Sequence, residues 1–209
     1  MTIVIIQARL ASTRLPRKIL LPMADGRPML DHVAERAKQI KGVDRVVVAC
    51  PWSDYLKLVD DGADYAKVYA PGVDPNDVLA RFAAVAESED ADTIIRLTAD
   101  CPFLDPDVAS LVLQRFHQES ADFATNDTSQ SGYPDGWDVQ VCTRALLDKL
   151  DQTITDPFHR EHVFTAVNTL LGVRTVLVRK PGQPDTRKLS IDTFDDYERL
   201  TGHMNYYSS

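Results

Sequence analysis

Residues 2–18 read TIVIIQARLASTRLPRK, and the two halves of this stretch decide the fold between them. After Thr2 come Ile3, Val4, Ile5 and Ile6 with no polar alternation, the pattern of a strand covered on both faces. The composition then flips. Between Gln7 and Lys18 lie four cations (Arg9, Arg14, Arg17 and Lys18), the hydroxyls of Ser12 and Thr13, and Pro16. A cationic, hydroxyl-bearing loop at the carboxyl end of a buried first strand suits a triphosphate. Ligands of open α/β sheets sit outside the carboxyl ends of strands. Arginine offers paired planar donors to phosphate, and lysine a mobile point charge. The plainer reading is a solvated loop with its cations in water, and the crowding of four cations in an acidic chain weighs against it.

Outward from this strand, apolar runs alternate with helical patterns. Asp25-Gly26 reads as a turn, and Pro28 opens a helix whose Met29, Leu30, Val33, Ala37 and Ile40 face a sheet, with Gly42 as its stop. Residues 45–50 form a second buried strand. Residues 51–64 read as a short helix stopped at Gly62, and 65–69 as a third strand. Asp77 starts a helix through Glu87, and 93–97 is a fourth strand. The order βαβαβαβ with short connections predicts a three-layer α/β/α domain around a mostly parallel sheet. With no repeat and no low-complexity linker, residues 1–209 read as one domain. Further on, 105–119 reads as a helix, 121–125 as a strand, 137–141 as an alternating strand, and 173–178 as another strand. Asp156-Pro157 starts a helix with Phe158, Val163, Phe164, Val167 and Leu171 inward. Residues 189–191 lead as an apolar strand into Asp192, and Thr193 with Asp196 caps a final helix.

The 209 residues suffice for a substantial core, and the net charge of -8 excludes nucleic-acid binding by general attraction. Cys50, Cys101 and Cys142 are far apart and form no CxxC, so they predict reduced thiols in a cytoplasmic protein. The opening apolar run is too short for a secretory signal, and no run approaches the length of a membrane span.

Several polar residues stand where chemistry would need them. Asp100 follows the fourth strand in Thr98-Ala99-Asp100-Cys101-Pro102, on the sheet edge that carries the Arg9 loop. Asp105 before Pro106 already fills the role of helix cap, so Asp100 reads as a Mg²⁺ ligand, an ion satisfied by one or two carboxylates plus phosphate oxygens. Arg81 and Arg96 are candidates to read a nucleotide base, against the alternative of ion pairs on the surface. Asp138, a charge within an apolar strand, needs a partner and reads equally as structure or as substrate contact. His159 and His162 are spaced for one helix face but lack a third metal ligand.

These motifs carry a resemblance. The loop Ala8-Arg9-x-x-Ser12-Thr13-Arg14-Leu15-Pro16-x-Lys18 resembles the opening motif of the cytidylyltransferases that activate keto-deoxy-octulosonate and acylneuraminate. It is most similar to their spore-coat polysaccharide branch. Thr98-x-Asp100-Cys101-Pro102, Tyr133-Pro134-Asp135-Gly136-x-Asp138-Val139, Arg160-Glu161-His162-Val163 and Ile191-Asp192-Thr193 follow in family order across nearly the whole chain. Ala11, Arg17 and Ala99 replace glycines of the pattern. The resemblance implies a nucleotidyltransferase with a glycosyltransferase-A-like α/β/α fold that attaches CMP from CTP to a sugar hydroxyl and expels pyrophosphate. It gives Ala8, Arg9, Ser12, Thr13, Arg14 and Lys18 to the CTP phosphates and Asp100 and Asp192 to one Mg²⁺. Tyr133, Asp135, Asp138, Arg160 and His162 fall to the sugar side, and the enzyme would be a homodimer. Arg9, Arg14, Lys18 and Asp100 then carry the catalysis. Two other readings stay open: a relative of the same fold that binds nucleotide or sugar without turnover, and an enzyme for another nucleotide, such as a molybdenum-cofactor nucleotidyltransferase. The latter would have a glycine-rich opening loop, and this chain has no glycine before Gly26.

Overall fold

A computed structural model of the chain describes residues 1–60 and 67–202. Its first half alternates strands and helices as the apolar runs predict. In order come β1 (Thr2–Gln7), α1 (Met29–Lys38), β2 (Arg45–Ala49), α2 (Tyr55–Asp60), β3 (Lys67–Tyr69), α3 (Val78–Ser88), β4 (Thr93–Thr98) and α4 (Pro106–Gln118). The second half adds β5 (Phe123–Thr125), a one-turn α5 (Thr128–Ser131), β6 (Gln140–Thr143), α6 (Arg144–Thr153), α7 (Pro157–His162), β7 (Thr175–Leu177) and α8 (Phe194–Thr201). The seven strands form one sheet in the order β3-β2-β1-β4-β6-β5-β7. Among the described residues only β6 runs against its neighbours, pairing antiparallel with β4 and β5.

The unbroken apolar runs of the central strands are explained by the layers above and below them. Val4 and Ile6 pack with Val46 and Val48 under α1 and α4 (Leu30, Val33, Val112, Phe116). Ile3 and Ile5, on the opposite face, pack with Val47 and Ala49 under α3 and α6 (Leu79, Phe82, Leu147, Leu150). A third, smaller cluster gathers Leu15, Met23, Met29, Ile191 and Tyr197, joining the cationic loop to α8.

Several boundaries differ from the sequence reading. The proposed Gly62 stop, and Tyr65 and Ala66 of the third strand, lie outside the described residues. The alternating strand at 137–141 is displaced: β6 begins at Gln140, so Trp137 and Asp138 lie in the loop before it. Asp138 is thus not a charge inside a strand. The helix opened by Pro157 stops after six residues because Val163 takes a positive φ of 56°, leaving Phe158 and Leu171 59% and 93% exposed rather than inward. Residues 189–191 join no sheet strand. The loop ahead of β6 reaches them by an isolated bridge between Asp135 and Lys188. Helix α6 was not anticipated, although Leu146, Leu147 and Leu150 recur at helical spacing behind the Thr143 cap.

Gly136 is where the loop before β6 meets residues 189–191. It has φ of 99°, and a Cβ there would lie 2.6 Å from Ser190 N and 2.7 Å from Leu189 C. Both neighbours are backbone, so they cannot swing aside. Gly136→Ala is expected to cost about 2 kcal/mol or more from combined strain and overlap. A urea melt checks this, and an unchanged midpoint would remove the close approach from the account.

Candidate functional site

The site lies at the carboxyl ends of β1 and β4, where three segments converge. The loop after β1 is held from beneath. Ala8 N continues the ladder to Ala49 O at 3.0 Å, and Leu10 N donates to the buried Asp54 carboxylate at 2.9 Å. Leu10 and Leu15 are both buried, and they leave Arg9, Ala11, Ser12, Thr13 and Arg14 on the rim of a cavity of about 410 Å³. Arg17 adopts the left-handed conformation (φ 57°, ψ 24°) and turns the chain into a short 3₁₀ turn at Lys18–Leu20. Glycine would take that conformation without strain; the Arg17 side chain itself is exposed. Ala11 and Ala99, the other two departures from glycine, are not among the positive-φ residues, so neither strains the backbone.

The second segment follows β4. Ala99 N donates to Gln7 O at 3.1 Å, which sets Asp100 beside the loop. The third precedes α8. Ile191 N donates to Asp100 O at 2.9 Å, and Thr193 and Asp196 form a capping box behind Asp192. Asp192 is therefore brought to the sheet edge by a backbone bond to Asp100, without ending a sheet strand, and the cap belongs to its neighbour.

Lys18 joins all three. Its ammonium donates to Asp100 Oδ2 at 2.8 Å, Ile191 O at 2.9 Å and Asp192 Oδ1 at 3.1 Å. Arg14 adds a 3.0 Å bond to the same Asp192 oxygen. Burial alone would push the Asp100 carboxyl up, but the Lys18 charge and hydrogen bonds from Lys18 and Thr98 outweigh it, and its pKa is lowered. Asp100 is thereby held as a carboxylate. Three hard oxygens surrounding one cation are also a donor set that magnesium or manganese would accept. Among the described residues no group of three His, Cys, Asp or Glu side chains is arranged for a metal. A metal on this pair would have to complete its shell from substrate and water.

Asp100 and Asp192 stand between the first cavity and a second of about 270 Å³, whose wall includes Arg96, Asp135, Asp138, Gln140 and Ser190. Arg96 projects from β4 and is clamped by Gln7 Oε1 (3.0 and 2.7 Å) and Gln140 Oε1 (2.6 Å). Burial lowers its pKa to about 10. Asp138 accepts from Thr128 N at 3.1 Å, Thr128 Oγ1 at 2.9 Å and Gly136 N at 3.3 Å; burial raises its pKa. Ser190 is 6% exposed, and among the described residues its Oγ has no hydrogen-bond partner. A third cavity of about 420 Å³ begins on the far side of Gln140 and is faced by Phe123 and Phe164.

The structure gathers Arg9, Ser12, Thr13, Arg14, Lys18, Asp100 and Asp192 around the first cavity, and Arg96, Asp135 and Asp138 around the second. The remaining sequence candidates are placed elsewhere. Ala8 is 1% exposed and acts through the β1–β2 ladder. Arg81 is also 1% exposed, donates to Pro75 O, and lines neither cavity. The surface ion pair suggested as its alternative is equally excluded by that burial. Tyr133 is buried against Trp137 and borders a separate surface depression. His162 packs on Phe158 with ring centroids 4.5 Å apart. Arg160 is a brace: it bonds Asp77 Oδ2 at 2.7 Å, Asp151 O at 3.0 Å and Ile154 O at 2.7 Å, and pairs with the Asp151 carboxylate. Four of its N–H bonds are thus committed to the protein, tying α7 to α3 and α6. Gln7 and Gln140 went unremarked in the sequence, yet each is the polar residue ending an apolar strand face (Ile3, Ile5, Gln7; Cys142, Gln140), a signal that could have found them.

A family model described as cytidylyltransferase matches residues 3–200. The spore coat polysaccharide biosynthesis protein SpsF of Bacillus subtilis (strain 168) is 32% identical over 205 residues, covering 94% of this chain and 83% of that protein. The 3-deoxy-manno-octulosonate cytidylyltransferase of Herminiimonas arsenicoxydans is 31% identical over 170 residues, covering 76% of this chain and 64% of that enzyme. A solved structure of a cytidylyltransferase from Leptospira borgpetersenii serovar Hardjo-bovis (strain JB197) superposes with a TM-score of 0.84 at 31% identity. It covers 100% of this chain and 88% of that one.

Because Arg160 leaves two aspartates and two carbonyls behind when it is removed, Arg160→Ala is expected to lose about 2–4 kcal/mol of stability. Its melting temperature in the absence of any ligand reads this directly. An unaltered melt with impaired activity would instead return Arg160 to a substrate role.

Proposed function

The chain belongs to the cytidylyltransferase family, and from that premise we propose that it transfers CMP from CTP to a hydroxyl of a sugar acceptor, releasing pyrophosphate, in surface or coat polysaccharide synthesis. The observation that carries this reading is the Asp100–Lys18–Asp192 cluster, which stands between a cationic cavity and one walled by carboxylates, Arg96 and the Gln140 amide. The first cavity suits the triphosphate. Arg9 and Arg14 on its rim, with the hydroxyls of Ser12 and Thr13, offer charge-assisted and neutral donors to phosphate oxygens. Asn76 at its wall offers both a donor and an acceptor to the nucleoside end. The second cavity suits the acceptor. Asp135 and Asp138 accept from acceptor hydroxyls, and Arg96 and Ser190 donate to them.

In the reaction an acceptor hydroxyl oxygen bonds to the α-phosphorus and releases its proton to water, while the α–β bridge breaks and its electron pair leaves with pyrophosphate. No covalent nucleophile is required, so positioning and charge stabilisation do the work. Lys18 and the loop arginines take up the charge that builds on the leaving phosphates. Asp100 and Asp192 would hold a divalent cation, Mg²⁺ by the family resemblance, which when bound supplies neutralisation of phosphate charge. The three buried, unpaired thiols support a cytoplasmic setting, and a homodimer rests on the resemblance alone. Among the described residues no helix is long and apolar enough to cross a membrane.

CTP should raise the melting temperature more than ATP, GTP or UTP does, as a ligand of the native state alone must. Arg14→Ala should weaken CTP binding by roughly ten- to a hundredfold, the range of one or two charge-assisted hydrogen bonds, with the fold intact. Isothermal titration checks the second value, and equal stabilisation by all four nucleotides would overturn the choice of CTP.

A further inference from the structure

We propose that Lys18 keeps the divalent cation off the Asp100–Asp192 pair until nucleotide arrives, so that metal and CTP enter together. The inference rests on reading that pair as the metal site. The ammonium has three N–H donors and three oxygens to receive them, at 2.8, 2.9 and 3.1 Å. A magnesium or manganese ion would draw these oxygens to about 2.1 Å. The same oxygens cannot close on a metal while the ammonium stands among them.

Charge points the same way. Asp192 Oδ1 is shared between Lys18 and Arg14, and its Oδ2 faces Lys188 at 3.4 Å. Lys188 also bonds Asp196 at 2.6 Å, and Arg199 reaches Asp196 at 3.3 Å. The carboxylates of Asp100, Asp192 and Asp196 are thus already matched by Lys18, Arg14, Lys188 and Arg199. The two carboxylates that a doubly charged ion would have to grip are already matched by cations, so it must displace one of these or bring anions of its own.

The displaced ammonium has the first cavity open to it, since Lys18 lines that cavity and not the second. The Lys18 side chain is only 11% exposed, and it lines the cationic cavity. Without a ligand there, Lys18 would move toward Arg9 and Arg14, which is unfavourable. A triphosphate reverses this by giving the ammonium new anionic partners and leaving the two carboxylates free. Lys18 is then a positioning residue twice over, a substitute cation in the free protein and a phosphate ligand in the complex.

The test is a Mn²⁺ titration of the whole chain, with free metal read by its paramagnetic resonance signal and without turnover. Without nucleotide, Lys18→Met, which keeps the stem and loses the charge, should bind Mn²⁺ roughly tenfold or more tightly than the unaltered protein, because one like charge leaves the site. Lys18→Arg should bind as weakly as the unaltered protein. Adding CTP should tighten Mn²⁺ binding strongly in the unaltered protein and far less in Lys18→Met. Thermal melts confirm folding, and Lys18→Gln replaces Lys18→Met if the latter fails to fold. Equal Mn²⁺ affinity in the unaltered protein and the uncharged variant overturns the inference. If in that case Asp100→Asn and Asp192→Asn still abolish Mn²⁺ binding to the CTP complex, the metal site stands and only the role of Lys18 falls. If those two substitutions leave Mn²⁺ binding untouched in every state, the site reading falls and the inference with it.

Discussion

A single buried ammonium organises this molecule's working end. Lys18 reaches 82 residues along the chain to Asp100 and 174 to Asp192. An isolated ion in that position would be costly, and it is tolerated because every donor has an oxygen and two of those oxygens belong to carboxylates. The arrangement ties the loop after β1, the end of β4 and the segment before α8 into one unit. Apolar contacts support the same tie: Leu15 packs with Ile191 and Tyr197, so the loop and the α8 segment are joined both through charge and through burial. Backbone completes it, with Ile191 N on Asp100 O.

The sheet turns this unit into a boundary between two chemically different spaces. Strands β1 and β4 are parallel, so their carboxyl ends lie side by side and carry the cationic loop and Asp100 to the same edge. The reversed strand β6 enters the sheet from that edge, which places Gln140 and the loop before it next to Arg96. One space therefore inherits arginines and hydroxyls from the loop after β1, and the other inherits carboxylates from the loop before β6. For a family that joins a nucleotide to a second molecule, this division separates the binding of an anion from the binding of a hydroxyl-bearing partner.

The parts of the structure governed by local pattern were legible in the sequence. Uninterrupted Ile/Val runs gave a sheet buried on both faces, and Asp77, Asp105 and Thr193 behave as the helix caps their neighbours suggest. The meeting of Asp100 and Asp192 at one edge was also foreseen, but for a reason that does not hold. Residues 189–191 are no sheet strand, and it is the long-range backbone bond to Asp100, the ion pair to Lys18 and the packing on Leu15 that bring Asp192 in. The failures share a cause. Arg160 looked like a free cation because Asp77 and Asp151 are far away along the chain or on another helix, and Arg81 looked exposed because helical periodicity alone cannot show what covers its face. The short span of α7 turns on Val163, a β-branched residue at positive φ, which no propensity would assign. Family resemblance carried the order of the motifs, and it was silent on which of their side chains are committed to holding the protein together.

The placement of the α8 segment has a consequence for how the protein matures. The last of the described strands ends at Leu177, so the sheet and the helices packed on it can form before the segment around residue 192 docks. During that interval the basic loop after β1 lacks Asp192, Ile191 and the apolar cover of Tyr197. The edge that carries the candidate site is then the last part of the molecule to be assembled, and a folding chain passes through a stage in which its scaffold is finished and that edge is not.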